Sequence, residues 1–159
     1  SLKNHGIRLS KLHLSSALSA KPTHQNLEKL KDFIEPVYLH QVAMGKNGKC
    51  IGRIKDLDLA IEAQTQGKLP QSDEWRIHFH VPLHASPGED LGDTRLHVID
   101  TLFWLNQNPD TCKHLEMETY TWEVLPKELQ AGSVIEQVGK EYRWTLNQME
   151  KIGFSIEGN

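Results

Sequence analysis

The sequence predicts an α/β fold in which four consecutive βα units form an arc of a (β/α)₈ TIM barrel. Segments with the two-residue period of a strand alternate four times with segments of helical period, in units of roughly 30 residues or more. Polar and ionisable side chains occur near the C-terminal end of every predicted strand, where barrel enzymes carry their chemistry. The alternative, an open doubly wound sheet, requires apolar strand faces. A complete barrel needs about 250 residues, so the 159-residue chain is interpreted as one partial barrel domain, residues 1–159, whose other half is missing.

Composition and charge argue against several classes of partner. The net charge of −3 gives no electrostatic basis for binding nucleic acid or a membrane surface. Membrane insertion is not expected, because no apolar run approaches the roughly 20 residues that span a bilayer. Cys50 and Cys112 lie far apart and outside any C-x-x-C motif, so we expect reduced thiols and a cytoplasmic location.

The first two units are predicted from alternation and from turn residues. Residues 7–16 (IRLSKLHLSS) and 37–43 (VYLHQVA) alternate as strands do. Residues 45–48 (GKNG) have turn chemistry, which predicts a small hairpin excursion after the second strand. Asp56 can cap a short helix that ends at Gly67. The helix after the first strand is predicted from apolar residues at helical spacing: Leu27, Leu30, Phe33 and Ile34.

The third and fourth units contain the most distinctive strands. Residues 75–84 (WRIHFHVPLH) place aliphatic side chains on one face and histidines on the other, and residues 114–122 (HLEMETYTW) alternate in the same way. After the loop PGEDLGD, Asp93 is expected to cap the third helix. Ser133 and Glu136 form the sequence pattern of a capping box. The helix that follows is predicted from its apolar residues, which are Val134, Ile135, Val138, Tyr142, Leu146 and Met149.

Imidazole and carboxylate side chains from separate strands are therefore expected to meet at one rim of the sheet. Histidine is the commonest metal ligand, and a mixed nitrogen and oxygen shell suits Zn²⁺, Mn²⁺, Fe²⁺ or Co²⁺. Each residue also has a structural interpretation: the glutamates can pair with Lys11 or Arg76, and the histidines can hydrogen-bond to neighbours. No glycine-rich phosphate loop or G-x-S-x-G elbow is present. The candidates are His13, Ser15, His40, Gln41, His78, His80, Glu116 and Glu118.

Four segments carry a resemblance to a known family: KLHLSSALSA, EPVYLHQVAMG, EWRIHFHVPLH and HLEMETYTWEVLP. They resemble the last four strands of EboE-type metabolite traffic proteins, which are similar to the xylose-isomerase-like TIM-barrel superfamily of sugar phosphate isomerases and epimerases. The resemblance covers nearly the whole chain and implies the C-terminal half of a longer barrel. The superfamily holds a divalent metal through a strand reading H-x-S-D or H-x-K-D and a final-strand glutamate. By resemblance, His13 and Glu118 are metal ligands for Zn²⁺, Mn²⁺, Mg²⁺ or Co²⁺, and Ser16 replaces the aspartate.

The resemblance implies a metal-dependent isomerase or epimerase of a sugar or cyclitol phosphate, within a secondary-metabolite production and traffic cluster. His80, Glu116 and Glu118 are then catalytic, and His80 is also a metal ligand. Two other classes stay open: a non-catalytic carrier of a metabolite, and a metal-dependent hydrolase of the amidohydrolase kind, suggested by the H-x-H of His78 and His80. An open half-barrel exposes two strand edges, so a homodimer is also expected. The predicted substrate-binding residues are Ser15, His40, Gln41 and His78.

Overall fold

A five-stranded antiparallel sheet is the main element of the protein. The computed structural model describes residues 3–118, 125–127, 129 and 132–154. Within them, the large sheet has the order β4-β3-β5-β2-β6, and β1 and β7 form a separate parallel pair. The strands are β1 (Leu12–Leu14), β2 (Ser16–Ala20), β3 (Val42–Lys46), β4 (Lys49–Ile54), β5 (Glu74–Val81), β6 (Leu91–Asp93) and β7 (Leu115–Met117); the helices are α1 (His24–Leu30), α2 (Leu57–Thr65), α3 (Arg95–Gln107) and α4 (Val134–Lys151).

The predicted half-barrel of four consecutive βα units is wrong. Helix α1 joins β2 to β3 and α2 joins β4 to β5, but each of these connections passes over a strand that lies between the two it joins. That intervening strand runs the opposite way, so all neighbours in the large sheet are antiparallel. A βα alternation predicts a parallel sheet only when the joined strands are adjacent, and here they are not.

The predicted hairpin excursion is an integral part of the sheet. Its two strands, β3 and β4, pair antiparallel, and β3 also pairs with β5. Asn47 and Gly48 make the turn with φ values of 50° and 71°, the left-handed conformations that an Asn-Gly hairpin turn requires. The chain reversal at this turn is what makes a continuous parallel sheet impossible.

Several element boundaries also differ from the prediction. The first predicted strand, residues 7–16, is divided into β1 and the start of β2, and the second predicted strand begins only at Val42. Residues 91–93, predicted as loop, form the edge strand β6 beside β2. The fourth predicted strand is confirmed over Leu115–Met117, and its residues 119–122 lie outside the described residues.

Local capping signals are confirmed. The Asp56 side chain accepts a hydrogen bond from the Leu57 amide at the start of α2. Ser133 and Glu136 form the complete capping box that starts α4. In contrast, Thr94 rather than Asp93 precedes α3, and Asp93 accepts from the Arg95 amide at 2.8 Å.

The main core lies between the large sheet and helices α1 and α2. The apolar face of β5 is completely buried there, as its alternation predicts: Trp75, Ile77 and Phe79 are each 0 % exposed. Phe33, just after α1, packs edge-on against Phe79 with ring centroids 5.1 Å apart. The histidine face of β5 therefore lies on the opposite side of the sheet from α1 and α2.

A smaller apolar cluster joins the parallel pair β1–β7 to α3 and α4. Its buried members are Leu14, Leu83, Val98 and Leu102. The C-terminal part of α4 contributes Trp144 and Met149 at its edge. Among the helices of the described residues, none has the length and apolar character needed to cross a bilayer. This cluster fixes α4 beside the end of β5, where the candidate site lies.

Candidate active site

His80 lies near the end of β5, on the face opposite the main core. Its neighbour on that face, His78, is exposed, but His80 is only 6 % exposed. Strand β2 covers it on one side, because Ala17 pairs with His80 in the sheet register. A register shift follows between Ala17 and Leu18, so the regular pairing is interrupted beside His80. Of the two histidines on this face of β5, His80 is therefore buried and His78 is exposed.

Glu118 faces this imidazole from the end of β7. The distance from His80 Nδ1 to Glu118 Oε2 is 3.7 Å, and the glutamate side chain is 29 % exposed. Its backbone is positioned by the parallel pair, since the Glu118 amide lies 3.4 Å from the Leu14 carbonyl oxygen. Of the predicted site residues, His80 and Glu118 therefore lie side by side.

Helix α4 closes the site with a polar face. Gln137, Glu141 and Thr145, spaced by one helical turn each, are all buried. Glu141 Oε1 accepts a hydrogen bond from the Leu83 amide at 2.9 Å. The other carboxyl oxygen, Glu141 Oε2, and the amide oxygen Gln137 Oε1 are buried with no hydrogen-bond partner among the described residues. Buried polar atoms in this state are costly, so they indicate a place where a ligand donor can bind.

These side chains line one small cavity. Its volume is about 10 Å³, close to the minimum needed to hold one water molecule or one hydroxyl group. A metabolite can therefore place a single group between the imidazole and the carboxyls, while the rest of it lies outside. The lining residues are Ser15, His80, Val81, Pro82, Glu118, Gln137 and Glu141.

Burial shifts the pKa values of His80 and Glu141, the two buried ionisable groups that line the cavity, in opposite directions. The pKa of His80 is lowered, because burial disfavours the imidazolium; the Glu118 charge opposes this effect, and His78 and His40 add to it. The pKa of Glu141 is raised by burial, partly offset by the hydrogen bond from the Leu83 amide. At neutral pH the site therefore favours a neutral imidazole, which can accept a proton, and shifts Glu141 towards the acid form that can donate one.

His13 and Glu116 form a different group on the outer face of the parallel pair. His13 Nε2 lies 3.3 Å from Glu116 Oε2, and Lys11 Nζ lies 2.8 Å from the same oxygen. The pKa of Glu116 is lowered, chiefly by the hydrogen bond from Lys11. Glu116 therefore pairs with Lys11, which is the structural alternative that the sequence left open for it. It does not line the cavity of His80.

His40, Gln41 and His78 are not part of the cavity either. His40 is 2 % exposed, its Nδ1 lies 3.1 Å from the His78 carbonyl oxygen, and its Nε2 lies 3.0 Å from Glu35 Oε1. Its ring also contacts Phe79 at a centroid distance of 4.9 Å. These contacts give His40 a structural role. The Gln41 carbonyl accepts from the His78 amide at 2.8 Å, and both of these side chains are exposed.

The described residues do not fit a metal centre. Across them, no group of three or more histidine, cysteine, aspartate or glutamate side chains is arranged to hold an ion. His13 pairs with Glu116 and His80 with Glu118, so the three residues that the resemblance assigns to the metal are divided between two pairs. The assignment of His13, His80 and Glu118 as ligands stays a prediction.

Sequence reasoning missed Gln137 and Glu141. They form a polar stripe with Thr145 at positions i, i+4 and i+8, and such a stripe normally predicts the solvent face of a helix. The apolar residues that predict α4 do not all face the core, since Ile135 is 83 % exposed. The stripe itself was the available signal, but only the packing of the helix shows that it faces inwards.

Comparisons with protein-family models, with curated proteins and with solved structures give no match for this chain. The resemblance to EboE-type proteins therefore stays a prediction. The fold and the site define the class no further than a mixed α/β protein with a covered imidazole–carboxylate pair, and its function has to be argued from that site.

Proposed function

We propose that the protein is an isomerase or epimerase of a small hydroxylated metabolite of the sugar or cyclitol type, with His80 as its base. The observation that carries this proposal is the covered His80–Glu118 pair, which shares a cavity with the buried carboxyl of Glu141. A base and an acid in one confined space are what proton transfer between neighbouring carbons requires.

The cycle that we propose begins at a carbon that carries a hydroxyl group beside a carbonyl. Neutral His80 removes the proton from that carbon, the C–H electron pair forms the double bond of an enediol, and protonated Glu141 gives its proton to the carbonyl oxygen. The other hydroxyl then returns a proton to Glu141 while the imidazolium protonates the adjacent carbon, which gives the isomer. Epimerisation requires the enediol to present its opposite face to the imidazolium, which then returns its proton to the original carbon while the hydroxyl of the former carbonyl returns a proton to Glu141.

Glu118 acts in this cycle as the partner of the imidazole. A carboxylate beside one ring nitrogen fixes the ring orientation and stabilises the imidazolium that forms during the reaction. Ser15, at the cavity wall, can hydrogen-bond the substrate oxygen that enters. We place this activity in the cytoplasm, because Cys50 and Cys112 are both free thiols.

Deuterium exchange tests the proposal. The protein is incubated in deuterated buffer with separate aldoses, ketoses, keto forms of cyclitols and the phosphates of each, and incorporation at carbon is followed by NMR. We expect exchange with at least one of them, and a loss of about 10²-fold or more in its rate for His80→Asn. The control is His97→Asn, an exposed histidine on α3 that lies outside the cavity lining.

Three results decide between the classes. Exchange that survives in His80→Asn would refute the role of this imidazole. Binding of a metabolite with no exchange in the native protein would indicate the carrier instead. Net release of a hydrolysis product would indicate the hydrolase.

A further inference from the structure

We infer that the surface beside the cavity anchors a phosphate group of the substrate, through a basic cluster formed by His84, Arg95, Lys140 and Arg143. The inference rests on the proposed function for its substrate and assigns the residues that would bind a phosphate group of that metabolite. It uses a part of the molecule that the proton-transfer site does not include.

The geometry of Leu83 brings the cluster together. Its amide donates to Glu141 Oε1 at 2.9 Å, and its carbonyl accepts from Arg95 Nη1 at 3.1 Å. The backbone that leads into His84 is therefore fixed between the start of α3 and the middle of α4. Lys140 precedes Glu141 in α4, and Arg143 lies two residues beyond it. His84 therefore follows a backbone segment that is bound to both helices, and the charges of the three cations act on its ring.

His84 has a hydrogen-bonding atom that the protein does not use. Its Nδ1 is buried and has no hydrogen-bond partner in the described part of the chain. The pKa of His84 is lowered, first by burial and then by the positive charges of Lys140, Arg95 and Arg143. The ring is therefore in a positive environment and has an unsatisfied nitrogen, and an anion that brings acceptor oxygens would relieve both.

The negative groups near the cluster leave it with excess positive charge. Asp93 pairs with Arg95 at 2.6 Å and neutralises that guanidinium in part. Burial of Glu141 favours its uncharged form, and Glu136, one helical turn before Lys140, is engaged in the capping box with Ser133. Lys140 and Arg143 have no ion-pair partner among the residues that the structure describes. A dianionic phosphate supplies the missing negative charge and matches the forked geometry of arginine.

The size of the cavity agrees with an anchor outside it. With a volume of about 10 Å³, the cavity admits one hydroxyl-sized group, so an extended metabolite needs a second contact to fix its orientation. Glu141 connects the two places, because it lines the cavity and holds Leu83 beside His84. A phosphate on the basic cluster would therefore hold the reacting carbon at the cavity mouth.

Calorimetric titration with inorganic phosphate tests the anchor directly. We expect binding to the native protein and a roughly 10- to 100-fold weaker affinity for Lys140→Gln and Arg143→Gln, since each removes a charged hydrogen bond. The matched control is Lys151→Gln, which removes an exposed cation from the last turn of the same helix. Acetate, titrated in parallel, distinguishes a carboxylate site from a phosphate site, and we expect it to bind more weakly.

Equal phosphate affinity in the native protein and both cluster variants would overturn the anchor, and so would tighter binding of acetate. Glu118→Gln separates this inference from the proposed function, because it disables the imidazole partner and should leave phosphate affinity unchanged. If phosphate binds at the cluster but no metabolite undergoes exchange, only the proposed isomerase fails. If exchange occurs and Arg143→Gln leaves KM for the phosphorylated metabolite unchanged, only the anchor fails.

Discussion

The buried carboxyl of Glu141 should make the stability of the protein depend on pH in a way that substitution can isolate. Its Oε1 accepts the Leu83 amide hydrogen bond at 2.9 Å, and both residues are buried. Glu141→Ala removes the acceptor and leaves that amide unsatisfied, which costs about 1–3 kcal/mol. For a domain of this size, the loss corresponds to a Tm lower by roughly 2–12 °C. Glu141→Gln keeps a carbonyl acceptor at the same position and avoids this loss.

Glu141→Gln also removes an ionisable carboxyl group whose pKa is raised by burial. Because the pKa of Glu141 is raised in the folded state, the folded protein holds this proton more tightly than the unfolded chain does. The native protein therefore loses stability as pH rises from the ordinary carboxyl pKa to the raised one. Glu141→Gln lacks this loss, so its stability relative to the native protein should increase with pH across that window.

Urea unfolding followed by tryptophan fluorescence measures both effects, since Trp75 is completely buried. The free energy of unfolding would be compared for the native protein, Glu141→Gln and Glu141→Ala at several pH values from about 4.5 to 8. His80, whose lowered pKa makes stability rise with pH, is present in all of them and cancels in the differences. Exposed Glu150, in the same helix, provides the control Glu150→Gln. A constant difference between Glu141→Gln and the native protein at every pH would refute the reasoning.

Three further substitutions test the cap of α4, the main core and the turn between β3 and β4. Ser133→Ala removes the cap whose side chain accepts from the Glu136 amide, so it should cost about 1 kcal/mol in urea unfolding; no change would mean that the first turn of α4 adds nothing to stability. Phe79→Leu loses the edge-on contact with Phe33 and leaves a cavity, so we expect a loss of roughly 1–3 kcal/mol, and a smaller loss than for Ser133→Ala would contradict this packing. Gly48→Val forces a β-branched residue into φ +71°, which should lower stability by about 1–2 kcal/mol in calorimetry, whereas an unchanged Tm would contradict this turn geometry.

The elements of the fold were more predictable than its topology. The alternation of residues 75–84 correctly predicts which face of β5 is buried, and Asp56 and Ser133 correctly mark two helix starts. These signals are local, so they are present in short stretches of sequence. Strand order depends on which distant segments pair, and the turn at Asn47 and Gly48 indicates a reversal without showing that its strands join the main sheet.

Only the site residues that lie on strands could be predicted from the sequence, because alternation is a local signal. His80 and Glu118 each end a strand with its side chain on the polar face, and the structure brings them together. Glu116 has the same pattern but is paired with Lys11 outside the cavity. Glu141 could not be found from alternation, because its burial depends on how α4 rests against the end of β5. A residue pattern predicts which side chains share one face of a helix or strand. Only tertiary packing determines which other element that face contacts.

The two halves of α4 are attached by different forces, and this affects how the helix should open. Its C-terminal half rests on apolar contacts through Trp144 and Met149, whereas its N-terminal half buries Gln137 and leaves Ile135 in solvent. Detaching the N-terminal half would expose little additional apolar surface, so that opening should have a small heat-capacity change and a shallow dependence on denaturant. In native-state hydrogen exchange, the first turns of the helix should therefore exchange through local fluctuations and the last turns only with wider unfolding. The entrance to the cavity would then widen without loss of the core.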